Sequence, residues 1–465
     1  EEAQVGVQVP RESWDLLMGL DMLQLSNAPG PTFGYVPDRL KPLVAECWAF
    51  ASREALRPAS AERGFRLLQA FSSMLLLRKR GDNVSAGAVI ARRCRLFKCG
   101  EWDTLLSYAR GDTLRGCPRG VVERPEDQLG RRVKRALEYA SKGELSKAAA
   151  TLEAAPMAPP SAEALQQLRA LHPAPDPRIP RPERPPRAPA LVLDRELFDA
   201  YVSELPRSRA PGCTGFRLEH LQAIVSAGGR DTLYALCNHI LAGGVPAAAR
   251  PYFAGARLFA LEKPQGGVRP IACGEVLRRV VATLVCRQLR TQCAEFFASG
   301  PQCAQQVPAQ LGVGVRGGGE VVVHGLQVAM EANPTWALCT VDWKNAFNAC
   351  SRARMLQEVS VHFPALYPFV DACYSVDPVM VYGVQEDRGM ELHTILSSDG
   401  TQQGDPLGPL LFALLLHPVL RATMDAHPEL TMLPSFLDDT GIPGPPALVA
   451  EAFKTLVRLG YEMAG

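Results

Sequence analysis

The first third of the chain has apolar residues at helical spacing. Across residues 61–77 they recur three and four positions apart, and across residues 136–155 patches of Leu and Ala alternate with charged residues. Positions with this spacing share one face of an α-helix, so both segments are expected to form helices that bury that face. Residues 1 to about 155 are therefore predicted to form a mostly helical region.

From residue 190 onward the pattern changes to short apolar runs mixed with helical segments. The runs 257–263 and 268–272 flank Gln265-Gly266-Gly267, which predicts a β-hairpin because glycines supply the positive φ angles of tight turns. A region of this kind is predicted to be α+β. The other predicted elements are strands at 337–342, 432–437 and 441–443, and helices at 194–205, 275–290, 352–359, 409–420 and 448–459.

Residues 156–189 are dense in proline, with Arg178, Arg181, Arg184 and Arg187 interleaved. Proline prevents helix formation and removes backbone donors, so this segment is predicted to be an extended, semi-rigid spacer. It divides the chain into a helical region at 1–155, a linker at 156–189 and a mixed region at 190–465.

Composition narrows the class of protein without naming a partner. The chain has 465 residues, 47% of them hydrophobic, so most of it is expected to fold around hydrophobic cores. Its net charge of +2 neither requires nor excludes nucleic acid, because a local basic face matters more than the total. Arg131-Arg132-Val133-Lys134-Arg135 is one such run, and it fits either a solvated helix face or a face that holds RNA phosphates.

The cysteines and the apolar runs bear on the compartment. The 13 cysteines include no Cys-x-x-Cys pair and are typical of the reduced thiols of an intracellular protein. The longest apolar stretch, 409–416, is shorter than a membrane span and ends at His417-Pro418, so no contact with a membrane is predicted. The sequence does not decide between the nucleus and a cytoplasmic ribonucleoprotein, since Arg78-Lys79-Arg80 is too short to indicate nuclear import.

Three aspartates carry the candidate chemistry. Asp342 lies at the end of an apolar strand, and Asp438-Asp439 lies at the tip of a strand-turn-strand segment. Each motif alone has an ordinary explanation as a strand end or a hairpin turn. Together, carboxylates from separate strands can hold two Mg²⁺ ions roughly 3.5–4 Å apart for an in-line phosphoryl displacement.

With these motifs in this order, residues from about 190 to 465 resemble the fingers and palm of a reverse transcriptase, of the type found in non-LTR retrotransposons. The resemblance rests on five segments: Ala210-Pro211-Gly212-Cys213-Thr214-Gly215-Phe216, Lys263-Pro264-Gln265-Gly266-Gly267-Val268-Arg269-Pro270-Ile271, the segment around Asp342, Gln403-Gly404-Asp405-Pro406-Leu407, and the segment around Asp438-Asp439.

This resemblance implies a fold and an activity. The fold is an antiparallel palm sheet with helices behind it, preceded by the helical N-terminal region, and the thumb is expected to be absent because Gly465 follows Asp439 so soon. The activity is RNA-directed DNA synthesis, with an RNA template, a DNA primer, dNTPs and two Mg²⁺ ions, for which Mn²⁺ is a substitute. Protein partners are not indicated. Asp342 and Asp438 would ligate both ions, and Asp439 would be a supporting carboxylate.

The resemblance also assigns residues to the incoming nucleotide. Lys263 and Arg269 would hold its triphosphate, and the ring of Phe347 would exclude a 2′-hydroxyl, which favours a DNA product. Gln403 and Gly404 would let the backbone approach the base pair and the primer. The chain departs from the family at Asn348, where Asp is common.

Two other functions remain open. The chain could be a truncated or domesticated relic of a retrotransposon that binds RNA or RNA–DNA hybrid without synthesis, although the presence of Asp342, Asp438 and Asp439 argues against long decay. It could also be another palm polymerase, either an RNA-dependent RNA polymerase, which Phe347 disfavours, or an intron maturase.

Overall fold

Helices pack around two small sheets in a computed structural model of the chain. The structure describes residues 7, 9–28, 30–78, 85–110, 125–141, 143–180, 182, 189–206, 209–298, 310–387 and 389–464, with the side chains of 125–128 excepted. Lys79 and Arg80 of the basic run therefore lie outside the described residues. The predicted mixture of helix and sheet is confirmed.

The N-terminal region is helical, as predicted. The helix predicted over 61–77 is present as α4, and the pattern over 136–155 corresponds to the end of α7 and to α8. The helices are α1 Arg11–Gly19, α2 Met22–Ser26, α3 Lys41–Leu56, α4 Ala61–Leu75, α5 Ala86–Lys98, α6 Trp102–Arg110, α7 Pro125–Ala140 and α8 Leu145–Glu153, with 3₁₀ turns at Asp38–Leu40 and Pro58–Ser60.

This N-terminal region shares a hydrophobic core with the C-terminal half. Trp48, Phe71 and Trp102 belong to the same buried cluster as Phe198 and Leu284. Burying a large aromatic or aliphatic side chain contributes roughly 1.5–3 kcal/mol, so a shared cluster of this kind couples the two regions. The division of the chain into domains stays a prediction, but one buried cluster is shared by the regions on either side of the proline-rich segment.

The first half of the proline-rich segment is folded, which corrects the prediction of an extended spacer there. It forms α9, Ala162–Ala170, and the Ser161 hydroxyl caps this helix by accepting from the N–H of Ala164 at 3.3 Å. Its prolines precede and follow the helix, so they do not interrupt it. Arg181, Arg184 and Arg187 lie outside the described residues.

The strands of the C-terminal half form two sheets. Strands β1 Ala256–Glu262, β2 Val268–Gly274, β4 Val379–Glu386 and β5 Gly389–Leu396 form one sheet in the order β2-β1-β4-β5. Strands β3 Ala337–Val341, β6 Ser435–Phe436 and β7 Asp439–Gly444 form the other, in the order β3-β7-β6 and antiparallel throughout. The hairpin β1–β2 and the strands around Asp438 are thus confirmed, with ends shifted by one to three residues.

The helices of the C-terminal half agree with most of the predicted ones. Ser351 caps the predicted helix that follows it by accepting from the N–H of Arg354 at 3.4 Å. The helices are α10 Arg195–Ser203, α11 Leu218–Ile224, α12 Arg230–Leu241, α13 Arg250–Phe253, α14 Val276–Gln288, α15 Arg290–Ala298, α16 Gly318–Ala332, α17 Ala346–Ala349, α18 Arg352–His362, α19 Tyr367–Tyr374, α20 Gly408–Ala426 and α21 Pro446–Met463, with a π-turn at Val225–Gly229.

Helices α20 and α21 cover one face of the three-stranded sheet. Leu415, Val419 and Leu456 pack with Val341 and Ile442 of the sheet in a second buried cluster. By length and composition α20 could cross a membrane, but 61% of its apolar window is buried inside the protein, as in a core helix. It runs through Pro418 to Ala426, farther than predicted, because core packing on both sides offsets the missing backbone hydrogen bond.

Candidate active site

The register of the three-stranded sheet brings the three aspartates to one end. Val341 pairs with Thr440, so Asp342, one residue farther along its strand, lies opposite Asp439. Phe436 pairs with Asp439, which leaves Leu437 and Asp438 as the two residues of the β6–β7 turn. A separation of nearly a hundred residues along the sequence is thus closed by strand pairing, and the predicted convergence of carboxylates is present in the fold.

Asp438 is coupled electrostatically to the groups around it. Burial raises the pKa of its carboxyl group, and the negative charges of Asp439 and Asp342 raise it further, whereas Arg269 lowers it. Asp438 is half-buried, while Asp342 and Asp439 are exposed. Like charges held together in this way favour proton uptake or the binding of a cation.

Oxygen donors of this kind suit Mg²⁺, which is held by one or two carboxylates together with water and phosphate oxygens. Within the described residues, however, no group of three or more His, Cys, Asp or Glu side chains is already spaced to hold a metal ion. The donor chemistry at the sheet end therefore fits Mg²⁺, although the three carboxylates do not form a preformed cluster.

The turn that carries Asp438 is held by a residue that the sequence did not reveal. Leu437 has a φ of 60°, in the left-handed region that side chains with a Cβ seldom occupy. The buried amide of Gln310 accepts from the Leu437 N–H at 2.8 Å and donates to its carbonyl oxygen at 3.2 Å. Ser435 adds a bond from its hydroxyl to the same carbonyl at 3.0 Å. The Gln310 contacts join segments far apart in sequence, so no local pattern indicates them.

The two predicted cations lie on the β1–β2 hairpin, and both are exposed. Lys263 opens the turn, where its N–H donates to the Gly267 carbonyl at 3.0 Å, and Gly266 and Gly267 have φ angles of 88° and 82°. Arg269 lies on β2 and is the hairpin cation that acts on Asp438. The structure thus brings Arg269 towards the carboxylates from the other sheet.

Phe347 is half-buried and packs against helix α20. Its ring stacks on that of Phe412 in α20, with centroids 4.8 Å apart and an angle of 26° between the ring planes. Its carbonyl oxygen accepts from the N–H of Thr401 at 2.5 Å. Both contacts fix the position of Phe347, five residues after Asp342 in sequence, relative to the loop that leads to Gln403.

Gln403 and Gly404 join that loop to β2. The Gln403 carbonyl accepts from the Ala272 N–H at 2.7 Å. Gly404 has a φ of 125°, and a Cβ there would lie 2.3 Å from the Ala272 carbonyl oxygen. Gly404 is therefore required because it contacts the protein's own backbone, whereas the resemblance assigned it to the approach of a base pair and a primer.

A buried ion pair beneath this loop was also missed. Arg278 of α14 donates to Asp405 Oδ2 and to Gln402 Oε1, each at 2.6 Å, and Tyr374 donates to the same Asp405 oxygen at 2.5 Å. The Arg278 and Asp405 side chains are 2% and 3% exposed. The available signal was an arginine within the apolar stripe of a helix, because a charge is seldom buried without a partner. Asp405 anchors the loop as well as accepting from the Leu407 N–H.

Comparisons with known proteins bear on this site. No protein-family model matches the chain. Over 272 residues, or 56% of the chain, it is 26% identical to the "Retrotransposable element SLACS 132 kDa protein" of Trypanosoma brucei gambiense, of which it covers 22%. The chain thus spans about a fifth of that relative's length. The predicted resemblance to a retrotransposon protein is confirmed.

Two solved telomerase structures from Candida tropicalis show a weaker likeness. One, in complex with a TWJ fragment of telomeric RNA, has a TM-score of 0.34 and 12% identity, covering 46% of this chain and 39% of that one. The other, apo and truncated from its C-terminal domain, has a TM-score of 0.34 and 11% identity, covering 53% and 61%. A likeness at this level supports no statement about function.

Proposed function

We propose that the region from residue 190 onward is the fingers and palm of a reverse transcriptase, which transfers nucleotides from dNTPs to a primer 3′-hydroxyl on an RNA template. The observation that carries this proposal is the convergence of Asp342, Asp438 and Asp439 at one end of the β3-β7-β6 sheet. The similarity to a retrotransposable-element protein supports it. The three-stranded sheet would be the palm, and the β1–β2 hairpin would belong to the fingers.

Asp342 and Asp438 would hold two Mg²⁺ ions, for which Mn²⁺ could substitute, and Asp439 would support them. When bound, such ions activate a hydroxyl nucleophile and stabilise the charge that develops on the leaving group. The exposure of Asp342 and Asp439 leaves this end of the sheet open to a primer and a nucleotide. Gln310 fixes the turn, and so the direction in which Asp438 projects.

The remaining residues would position the nucleotide. Arg269, already within electrostatic reach of Asp438, would bind the triphosphate in bidentate fashion, and Lys263 at the turn would add a second cation. Phe347, held against Phe412, would exclude a 2′-hydroxyl by steric contact. Gln403 and Gly404 would complete the pocket, since their loop is fixed to β2.

Primer extension tests the proposal. The chain is incubated with Mg²⁺, a primed RNA template and either dNTPs or rNTPs, beside the Asp438→Asn variant. DNA synthesis should fall about a thousandfold in the variant, the equivalent of several kcal/mol of charge stabilisation. Asp425→Asn, the same change at an exposed position of α20, is the matched control and should leave synthesis unchanged. Equal synthesis by Asp438→Asn would refute the assignment.

One observation favours a second function, namely binding of RNA or RNA–DNA hybrid without synthesis. In the described part of the chain, the carboxylates are not already spaced as a metal cluster. If the chain binds primed RNA but neither it nor the Asp425→Asn variant extends the primer with Mg²⁺ or Mn²⁺, this second function replaces the first.

A further inference from the structure

The helical hairpin α7–α8 forms the wall of a basic cavity of about 660 Å³ beside β1. Five of its lining residues are cations, and in the described part of the chain none of the residues that line it is acidic. The cations are Arg131, Arg132, Arg135, Lys147 and Arg209. A concave surface with one sign of charge concentrates ions of the opposite sign, so the cavity is suited to an anionic ligand.

These cations do not all have the same task. Arg132 donates to the backbone carbonyls of Thr151, Leu152 and Ala154, and so caps the end of α8. Lys147 pairs with Glu144 at 2.7 Å, but the two side chains are 52% and 39% exposed, so a ligand can displace the pairing at little cost. Arg132 is thus structural, whereas Lys147 can act on a ligand.

An aromatic ring lies among the cations. Tyr139, one turn after Arg135 on α7, is half-buried in the cavity wall, and the charged groups of Arg135 and Lys147 each lie 5.9 Å from its ring centroid. Cations that follow a phosphate backbone, combined with an aromatic face for a base, are how proteins bind single-stranded nucleic acid. A simple anion site would have no use for the ring.

The cavity is continuous with the face of the hairpin that is turned towards the aspartates. Leu261 lines the cavity and is paired directly with Arg269 across β1 and β2, so the two side chains lie on one face of the sheet. Arg269 is the cation that lowers the pKa of the Asp438 carboxyl group, so it lies within electrostatic reach of the aspartates. By strand alternation, Arg257 and Phe259 of β1 share this face, which adds a cation and a second ring.

We propose that the cavity between α7–α8 and β1 binds the phosphates and one base of a single-stranded RNA. That this RNA is the template on its way to the carboxylates rests on the proposed function. The phosphates of the RNA are contacted by Arg131, Arg135, Lys147 and Arg209. One base stacks on the ring of Tyr139. An acidic protein or an anionic membrane would use the same charges, but the ring and the alignment with β1 favour a single strand.

The test measures the affinity for a fluorescein-labelled single-stranded 16-mer RNA by anisotropy at several salt concentrations, without metal or nucleotides. Combining Arg131→Gln, Arg135→Gln and Lys147→Gln should weaken binding at least about tenfold and reduce the log–log salt slope by about 2, since each phosphate contact to a single strand contributes about 0.7. Tyr139→Ala should weaken binding at least about fivefold with an unchanged slope. Lys134→Gln, on the same helix but not in the cavity wall, is the matched control and should be nearly neutral.

The outcomes distinguish a failure of the cavity proposal from a failure of the proposed polymerase function. Equal affinities for the triple variant and Lys134→Gln, with both folded by circular dichroism, would overturn the cavity proposal even if the chain synthesises DNA. It is also overturned if polyglutamate or vesicles of anionic lipid displace the RNA more effectively than an unlabelled 16-mer RNA does. If synthesis is absent but the triple variant loses RNA affinity as expected, the cavity proposal stands and only the catalytic one fails.

Discussion

The side-chain amide of Gln310 brackets the backbone of Leu437, accepting from its N–H at 2.8 Å and donating to its carbonyl oxygen at 3.2 Å. Gln310 is fully buried, and its Oε1 also accepts from the Gly312 N–H at 2.9 Å. A left-handed backbone at a leucine costs on the order of 1–3 kcal/mol, and these bonds offset that cost. The direction of Asp438 therefore depends on a residue more than a hundred positions upstream.

Replacing Gln310 by Leu, which has a similar size but no polar atoms, should loosen the turn. We expect a loss of about 1–3 kcal/mol in the free energy of unfolding, since the Leu437 amide and carbonyl lose buried partners. The Leu437 amide should also exchange its hydrogen faster, which NMR or mass spectrometry measures locally. Gln327→Leu, at an exposed position of α16, is the control and should change neither quantity.

A second substitution distinguishes strain from packing. Gln310→Leu should also slow primer extension, because the direction of Asp438 is no longer fixed. Leu437→Gly removes the cost of the positive φ, so in the Gln310→Leu background it should restore part of that rate. If the double variant is no better than Gln310→Leu alone while its stability recovers, the amide does not act by positioning Asp438.

Asp438 should destabilise the fold at neutral pH. Burial and the nearby charges of Asp439 and Asp342 raise the pKa of its carboxyl group. The folded state thus binds a proton more readily than the unfolded state, and stability falls as pH rises through the folded pKa. Asp438→Asn should therefore raise the unfolding free energy at pH 7 by a few tenths to about 1 kcal/mol.

Mg²⁺ should make the wild-type chain more stable than the Asp438→Asn variant. It should raise the melting temperature of the wild-type chain and of Asp425→Asn, but much less that of Asp438→Asn, because a cation that binds only the folded state stabilises it. Calorimetric melting with and without Mg²⁺ at pH 5 and pH 7 measures both effects. Identical Mg²⁺ shifts in wild type and Asp438→Asn would mean that the ion binds elsewhere.

The buried pair of Arg278 and Asp405 should be sensitive to the loss of one partner. Arg278→Leu leaves the Asp405 carboxylate buried with only the Tyr374 hydroxyl and the Leu407 N–H, and should cost about 3–5 kcal/mol of unfolding free energy in urea. Arg287→Leu, at an exposed position of the same helix, should cost less than about 1 kcal/mol.

The double variant Arg278→Leu with Asp405→Leu tests the pairing itself. Removing both charges should be less destabilising than removing Arg278 alone, because no uncompensated charge remains. Additive losses in the double variant would show that each residue acts through separate contacts.

Patterns local in sequence predicted local structure well. The helix spacing of α4, the glycine turn of the β1–β2 hairpin and the Ser351 cap each depend on residues within one or two turns of one another, and all are present. The positions of Asp342 and Asp438 could be predicted to converge because a strand and a turn motif both pointed to a sheet end. These elements could be predicted because each one is determined by residues that are close together in sequence.

Contacts between distant segments could not be predicted in this way. Nothing in the sequence around Gln310 indicates that it contacts Leu437, because the fold brings the two together. The contact of Gly404 with Ala272 likewise depends on the packing of a loop against a strand. The helix α9 was obscured by the prolines around it, although Ser161 and the residues after it form an ordinary helix start. Tertiary packing determined each of these outcomes.

Acid should destabilise the chain through two buried histidines. Burial lowers the pKa of His220 and of His417 to about 4 each, with the nearby Arg217 and Arg421 charges acting in the same direction. The unfolded state takes up protons near pH 6.5 and the folded state only near pH 4, so stability is lost as pH falls across this window. His417→Leu should flatten the loss, measured as unfolding free energy in urea from pH 7 to pH 4. Thr423→Val, at a buried position of the helix that carries His417 and with no titratable group, is the control and should leave the steepness unchanged.

Phe347 should control the choice of sugar if the proposed function holds. Its ring is fixed by stacking on Phe412 at 4.8 Å, so it cannot move aside at little cost when a ribonucleotide enters. Phe347→Ala should raise the relative kcat/KM for rNTPs over dNTPs at least about tenfold, or 1.4 kcal/mol. Phe412→Leu keeps the gate ring but removes its support, and should give a smaller change in the same direction. Single-nucleotide extension on an RNA template measures both. Unchanged selectivity in Phe347→Ala, with extension still active, would remove the ring from any role in sugar selection and leave it as a residue of α17 that packs against α20.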